Sequence, residues 1–545
     1  MVSQNKMSSF VSNAVLFVVL VFAIIGMVLG TSLAPKKIIR SKNNEVLVYD
    51  EVFSKKSLSV MSELLQRHGP WDFIYPEKYE GMHENDNGNL HWVANFSPSD
   101  FSVSTIWKVL NKKLDRVFTG IRYFPYSAQG ILINRGDFPT VKKGEKEGDL
   151  LMRVFLTTNM KKNSYSELLF YNENEEIVGC VYPKYGRVVA WNDTVDFIFK
   201  PPSMNHVTGE YSLFIKATLD KSKFDRAVEV FKDHAKRRED IAKVAFPLSN
   251  NLDNSIYEID LSKHLRKKFY DSQNQAVAVF DDVVPKDVLL ALREYFFQYD
   301  SSYVYNAYDP AYDEGHDNVN WVAQVPARLL PHSKVWQYIH HITSYMSNET
   351  NWHPYDVSMN IIQHYHHPRI HTDCSEWEHE YTFLMYLTPD WSENLYGETI
   401  YFEETDKGKM KKENKGGNEK YETLGAVKPK FGRIVIFRNI IEHSARPPSP
   451  DFLAARYTFA VKVSRSPQIA IAKKLRELLG DIAEYNENAS QLMQDLEDGK
   501  YNRNQNDGDV DFLNKQYSKF KDLKEKIDLK AKTRIYKAVS MSIPN

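Results

Sequence analysis

One stretch of this chain is written twice. Residues 181–217 read VYPKYGRVVAWNDTVDFIFKPPSMNHVTGEYSLFIKA, and residues 427–463 read VKPKFGRIVIFRNIIEHSARPPSPDFLAARYTFAVKV. The offset is 246 residues (427 − 181) without a gap; Pro-Lys-aromatic-Gly-Arg, Pro-Pro-Ser and a later Tyr recur in register. Upstream, VYDEVFSKKS (48–57) resembles VFDDVVPKDV (279–288), and NLHWVA (89–94) resembles NVNWVA (318–323). Self-similarity over this length constrains the fold strongly, because what one copy forms the other must form too. The expectation is two homologous domains at 40–220 and 271–465. A chain of 545 residues has room for three or four units of roughly 100–200 residues. An apolar share of 42% is enough to build their cores.

Both copies are rich in short runs such as GRIVIF, YTFAVKV and ETIYF, with β-branched and aromatic residues bounded by Gly and Pro. Each domain should be mainly antiparallel β, giving an α+β chain overall, with a helix or two in front (KDVLLALREYFF, 286–297). Residues 221–270 open with apolar residues spaced three and four apart among many charges, which reads as a helical linker. Residues 466–545 read as a helical, charged tail. The Lys/Gly/Asn-rich segment 407–420 reads as a solvated loop.

The N-terminal segment 1–35 carries no charge from Met7 to Pro35, and Ala14–Gly30 is nearly all apolar. About 20 such residues span a bilayer core as a helix, so a single-pass transmembrane anchor is expected, with a cleaved signal peptide as the alternative. Lys36, Lys37, Arg40 and Lys42 after the segment favour a cytoplasmic body. Sequons at Asn95, Asn192, Asn348 and Asn488 suit a lumenal one. The expectation is the endoplasmic reticulum membrane with a lumenal body, the cytoplasmic orientation being the alternative. A net charge of −1 gives no reason to expect a nucleic-acid partner, and two cysteines exclude a disulfide framework or thiolate cluster.

The chemistry concentrates in the second copy. His371 and Asp373 stand two apart, so on a strand they face the same side and can reach one ion. His443, just after GRIVIF, is the natural third ligand. Two His and one carboxylate on one face of an octahedron leave three positions open, as in non-haem Fe(II) oxygenases. Arg456 opens the next strand, where its guanidinium could fork onto a carboxylate, and Thr458 lies on the same side.

This series, HxD, His about seventy residues on, then Arg-x-Thr, resembles the 2-oxoglutarate- and Fe(II)-dependent dioxygenases over about residues 275–465. FLMYLTPDWSENLYGETIYF (383–402) and QHYHHPRIHTD (363–373) are similar to the prolyl 4-hydroxylase branch. The resemblance implies a double-stranded β-helix (jelly-roll) in each copy. It implies His371, Asp373 and His443 on Fe(II), Arg456 on the distal carboxylate of 2-oxoglutarate, and Tyr365 assisting. It also implies O2 as co-substrate, succinate and CO2 as products, ascorbate as the reductant that restores the iron, and a prolyl residue in a protein or peptide as substrate. Arg456 stands where collagen-type enzymes usually carry Lys.

The first copy acts as an internal control. At the same offset Phe197 replaces His443 and Glu210 replaces Arg456, and residues 131–141 contain no His. A phenylalanine cannot ligate iron and a glutamate repels an anion, so the first domain should be a degenerate, non-catalytic β-helix. His364, His366, His367, Cys374 and Arg446 read as structural. The rival of another class is an inactive membrane-anchored scaffold built from two β-helices; the complete triad argues against it. A cupin-like enzyme without 2-oxoglutarate is disfavoured by Arg456 and Thr458, and a halogenase by Asp373.

Overall fold

The computed structural model describes residues 35–541 except 42–43, 74–91, 118–121, 145–147, 159, 207–208, 246–252, 299–303, 307–319, 325–329, 367, 374–379, 390, 405–420, 453, 481, 483–485 and 499–506. The expected anchor at 14–30, the loop 407–420, His367 and Cys374 therefore lie outside the described residues. Among the described residues no helix is long and apolar enough to cross a membrane.

The described chain is mainly antiparallel β with flanking helices. Its first eleven strands are β1 (Lys37–Ser41), β2 (Asn44–Tyr49), β3 (Trp71–Phe73), β4 (Trp92–Phe96), β5 (Phe124–Ile133), β6 (Leu150–Phe155), β7 (Leu168–Tyr171), β8 (Ile177–Val181), β9 (Val188–Asn192), β10 (Asp196–Phe199) and β11 (Glu210–Thr218). The next eleven are β12 (Leu265–Tyr270), β13 (Ala276–Phe280), β14 (Val304–Asn306), β15 (Asn320–Gln324), β16 (His353–Ile362), β17 (Glu380–Tyr386), β18 (Thr399–Glu404), β19 (Tyr421–Val427), β20 (Ile434–Arg438), β21 (Glu442–Ala445) and β22 (Arg456–Ser464). Strands of the first set order as β1-β2-β9-β6-β11-β5-β4-β3 in a large sheet and β10-β7-β8 in a small one. The second set orders as β12-β13-β20-β17-β22-β16-β15-β14 and β19-β18-β21. Adding eleven to each label of the first set reproduces the pairings of the second, so corresponding residues can be read from register. β12 falls within 221–270, so the second large sheet begins inside the stretch read as linker.

The helices follow local signals. α1 (Lys55–His68) is capped by Ser54, which accepts from the Ser57 amide. It buries Leu58, Met61, Leu64 and Leu65, the i, i+3, i+7 stripe of an amphipathic helix. α2 (Pro98–Val103) and α3 (Thr105–Val117) follow, then α4 (Lys221–Ala245), α5 (Lys286–Gln298) and α6 (Lys334–Ser347). Asn348 ends α6 in the left-handed region, at φ 59°. The tail forms α7 (Pro467–Gly480), α8 (Glu487–Glu497) and α9 (Asp507–Val539). α9 reaches back to the first set of elements, where Arg534 pairs with Glu63 at 2.7 Å and the Tyr536 hydroxyl donates to the His68 carbonyl at 3.2 Å.

Strand alternation sorts side chains into two kinds of interior. On β22, Tyr457, Phe459, Val461 and Val463 join a core shared with α1, α5, α6 and the first large sheet. Arg456, Thr458, Ala460 and Lys462 alternate with them. Between the second large sheet and its small sheet lies a separate core of Val277, Val279, Tyr386, Tyr401, Val427, Val435, Phe437 and Ile441. The two sets of strands also touch directly. The Trp92 indole donates to Gln363 Oε1 at 3.3 Å, and the Tyr365 hydroxyl lies 3.3 Å from Asp137 Oδ1.

Candidate metal and carboxylate site

His371, Asp373 and His443 converge. One ligand atom from each lies within 4.8 Å of the others. The backbone makes this possible through a single antiparallel bridge: the His371 amide donates to the His443 carbonyl at 3.0 Å, and the reverse bond is 2.9 Å. The Asp373 amide then donates to the Asn439 carbonyl at 2.8 Å. Residues 368–373 thus form one bridge rather than the strand expected from the two-residue spacing, because this second bond goes to the turn after β20 and not to β21. His443 is on β21 and pairs with Tyr401 of β18.

Both imidazoles are oriented for ligation. His371 Nδ1 lies 3.1 Å from the Arg369 carbonyl and His443 Nδ1 lies 3.0 Å from the Ile441 carbonyl. A carbonyl can only accept, so each Nδ1 carries a proton, and in the neutral ring Nε2 is the nitrogen left for a cation. Each Nε2 lies 3.7 Å from one oxygen of Asp373. Burial, with the charge of His371 acting in the same sense, lowers the His443 pKa to about 4, so it is neutral near pH 7.

Asp373 is held on both oxygens. Thr382 Oγ1 lies 2.6 Å from Oδ2, and Lys462 Nζ lies 3.0 Å from Oδ1. Burial would raise its pKa, but Lys462, His443 and His371 together hold it well below the usual carboxylate range. Lys462 also lies 3.1 Å from Asp356 Oδ2, its cross-strand neighbour on β16. Burial works against its charge, yet the two carboxylates raise its pKa above the ordinary lysine value. A buried carboxylate flanked by two imidazoles is a donor set suited to a divalent cation.

Arg456 is fully buried. Its Nε donates to the Gly397 carbonyl at 2.7 Å and its Nη2 to Thr399 Oγ1 at 2.7 Å, while Nη1 has no partner. An enclosed guanidinium with an unused donor is suited to an anion. Thr458 is buried two residues on. Tyr365 is elsewhere: its hydroxyl donates to Gln363 Oε1 at 2.7 Å and faces Asp137, at the seam with the first set of strands. The structure thus places this hydroxyl at the seam, bonded to Gln363 and Asp137. His366 is fully buried, and its Nδ1 accepts from the Gln363 amide at 3.0 Å.

Sequence reading missed Lys462, Thr382 and Tyr401. Alternation from Arg456 along RYTFAVKV puts Lys462 on the same face, and that signal could have found it. Thr382 and Tyr401 depend on cross-strand register.

The first set of strands has the same register with different side chains. Lys142 bridges Phe197 as His371 bridges His443, and Gly144 follows two residues later where Asp373 stands. Phe170 pairs with Phe197 as Tyr401 pairs with His443. Trp191, Phe197, Phe199 and Phe214 pack in ring contacts of 5.1–6.1 Å, and Arg153 forms a fully buried ion pair with Glu210.

Residues 357–461 match the 2OG-Fe(II) oxygenase superfamily. Similar solved structures include a prolyl hydroxylase in complex with a hypoxia inducible factor oxygen degradation domain peptide fragment from Trichoplax adhaerens. It is 13% identical, with TM-score 0.25, covering 35% of this chain and 83% of that one. A Pseudomonas putida prolyl-4-hydroxylase is 12% identical, with TM-score 0.24, covering 39% and 98% respectively. A 2OG-Fe(II) oxygenase family oxidoreductase from Burkholderia pseudomallei is 10% identical, with TM-score 0.25, covering 32% and 84%. No curated protein matches the chain. The chain thus carries, at residues 357–461, a domain of the 2OG-Fe(II) oxygenase superfamily.

Proposed function

We propose that this domain is an Fe(II)- and 2-oxoglutarate-dependent dioxygenase that hydroxylates a protein or peptide side chain, with a prolyl residue as the favoured substrate. What carries the reading is one conjunction. Three ligand atoms of the right types converge in a bridge between strands, and a buried Arg456 with a free donor lies on the strand that also supplies Lys462. His371, Asp373 and His443 would hold the iron. Arg456 would take the distal carboxylate of 2-oxoglutarate, with Thr458 beside it. Bound there, iron and 2-oxoglutarate supply the oxidising chemistry, consuming O2 and releasing succinate and CO2.

The chain's own part is positioning. The Arg369 and Ile441 carbonyls fix both imidazoles, and Thr382 and Lys462 fix Asp373. The packed core between the sheets keeps Asp373 and His443 enclosed, while the His371 side chain stays partly exposed. In this reading both strand sets are double-stranded β-helices, and the set at 40–220 is a non-catalytic copy for substrate binding or scaffolding. Ascorbate would restore ferrous iron. Residues 14–30 would anchor the chain in the endoplasmic reticulum membrane with the body lumenal. The inactive scaffold has no observation in its favour at 271–465, where the donor set is complete.

The test is succinate production by the full chain in detergent, loaded with Fe(II) anaerobically and given 2-oxoglutarate, ascorbate and O2, with and without proline-rich peptides. Succinate should form and should be lost in His443→Ala and in Arg456→Glu. Stimulation by a peptide would begin to identify the substrate. A chain that makes no succinate and binds neither Mn(II) nor 2-oxoglutarate would refute the proposal.

A further inference from the structure

We propose that Tyr401 is a further binding residue for the dicarboxylate co-substrate, its hydroxyl donating to the 2-oxo acid held between Arg456 and the metal ligands. This rests on the oxygenase reading above.

Tyr401 is fully buried, and its hydroxyl has no hydrogen-bond partner. Buried tyrosine hydroxyls nearly always find one, so an idle donor here calls for an explanation. Its ring stacks along that of His443, with centroids 6.1 Å apart and planes at 26°. Phe437 and Phe269 pack edge-on at 5.0 and 5.7 Å and fix the ring. Thr399, two residues earlier on β18 and so on the same face, holds Arg456 Nη2. Tyr401 therefore sits on the wall that joins the guanidinium to the iron ligands. At neutral pH the group is an OH donor. It is well placed to meet an anion that spans the distance from Arg456 to the metal.

The other set of strands supplies the contrast. At the same register it has Phe170, which pairs with Phe197 inside an interior filled by aromatic rings. The phenyl ring alone is enough to pack this position. The hydroxyl occurs only where the metal-ligating set also occurs.

The experiment is Tyr401→Phe in the full chain in detergent, under anaerobic conditions with Mn(II) in place of Fe(II), so that no turnover occurs. Three quantities are read: the melting temperature of the metal-free protein, the Mn(II) affinity, and the 2-oxoglutarate affinity of the Mn(II) form. The variant should melt no lower than wild type without metal, because it loses only an unpaired hydroxyl. Its Mn(II) affinity should be unchanged, and its 2-oxoglutarate affinity should fall about tenfold, the size of one good hydrogen bond to an anion. An unchanged 2-oxoglutarate affinity would overturn the proposal. A lowered melting temperature with parallel losses of both ligands would overturn it too, by giving the hydroxyl a structural role. If wild type binds neither ligand, the oxygenase reading itself fails; if wild type and variant bind both equally, only Tyr401 is at fault.

Discussion

Asp137 is a carboxylate at odds with its surroundings, and replacing it by asparagine gives a sharp stability test. It is 3% exposed in the turn after β5, where the first set of strands meets the second. Oδ2 accepts from the Asn134 amide at 2.7 Å, and Oδ1 faces the Tyr365 hydroxyl at 3.3 Å. These partners, with Gln363, are neutral, so burial outweighs them and pushes the pKa up to about 7. An ordinary aspartate titrates near 3.9. The folded state therefore keeps a proton that the unfolded chain gives up. Between about pH 4 and pH 7 folding takes up that proton, so stability falls as pH rises, and the full penalty stands above pH 7. Three pKa units at about 1.36 kcal/mol each make this roughly 4 kcal/mol. Asp137→Asn resembles the protonated acid in shape, keeps an acceptor for the Asn134 amide, and cannot ionise. Thermal and denaturant melts from pH 4 to pH 8 should show the variant close to wild type at the acid end and a few kcal/mol more stable at pH 8. Parallel pH profiles for the two proteins, or a variant less stable at pH 8, would refute the reasoning.

Other expectations concern single contacts. Arg456→Met should lower 2-oxoglutarate affinity at least about 30-fold in a calorimetric titration of the Mn(II) form, since truncating one side of a buried charge pair costs about 2–5 kcal/mol, while Mn(II) still binds. Tyr365→Phe should cost about 1 kcal/mol in melts, the worth of one hydrogen bond, and leave 2-oxoglutarate affinity where it was. Arg153→Met strands Glu210 as a buried lone charge and should cost about 3–5 kcal/mol, whereas the joint change Arg153→Met with Glu210→Leu should restore most of that stability in the same assay.

What was legible in the sequence was whatever one strand states by itself. The 246-residue repeat, the HxD spacing, His443 and Arg456 are local words at fixed distances. What was not legible depends on neighbours that only folding brings together. Thr382 meets Asp373 because β17 lies beside β20 and the Asp373 amide bonds to Asn439. The role of Tyr365 came only from the family resemblance, and the turn after β16 places its hydroxyl at the seam. β12 was hidden for another reason. LRKKFY lies at the edge of the sheet and is largely solvent-exposed, so it lacks the alternation that marks a half-buried strand.

The two sets of strands also isolate what a site of this kind requires of a fold. Register is the same in both, so differences at matched positions can be read as chemistry alone. Where the first has Phe214, the second has Ala460; where the first has Phe197 and Phe170, the second has His443 and Tyr401. Ring packing is thereby exchanged for a smaller side chain and two polar groups. The first interior pairs Arg153 with Glu210, with Arg153 Nη1 and Glu210 Oε1 left without partners. The second leaves Arg456 Nη1 and the Tyr401 hydroxyl without partners and gathers two imidazoles around one carboxylate. Each such choice costs stability by the ordinary rules for buried polar groups. What the second set has and the first lacks is the donor set itself: His371, Asp373 and His443 converge where the first has Lys142, Gly144 and Phe197. It follows that metal and 2-oxoglutarate together should stabilise the second domain far more than the first. Hydrogen exchange should therefore show protection gained at β17, β18, β21 and β22 and little change at β6, β7, β10 and β11, and uniform protection across both sets would count against the division of roles.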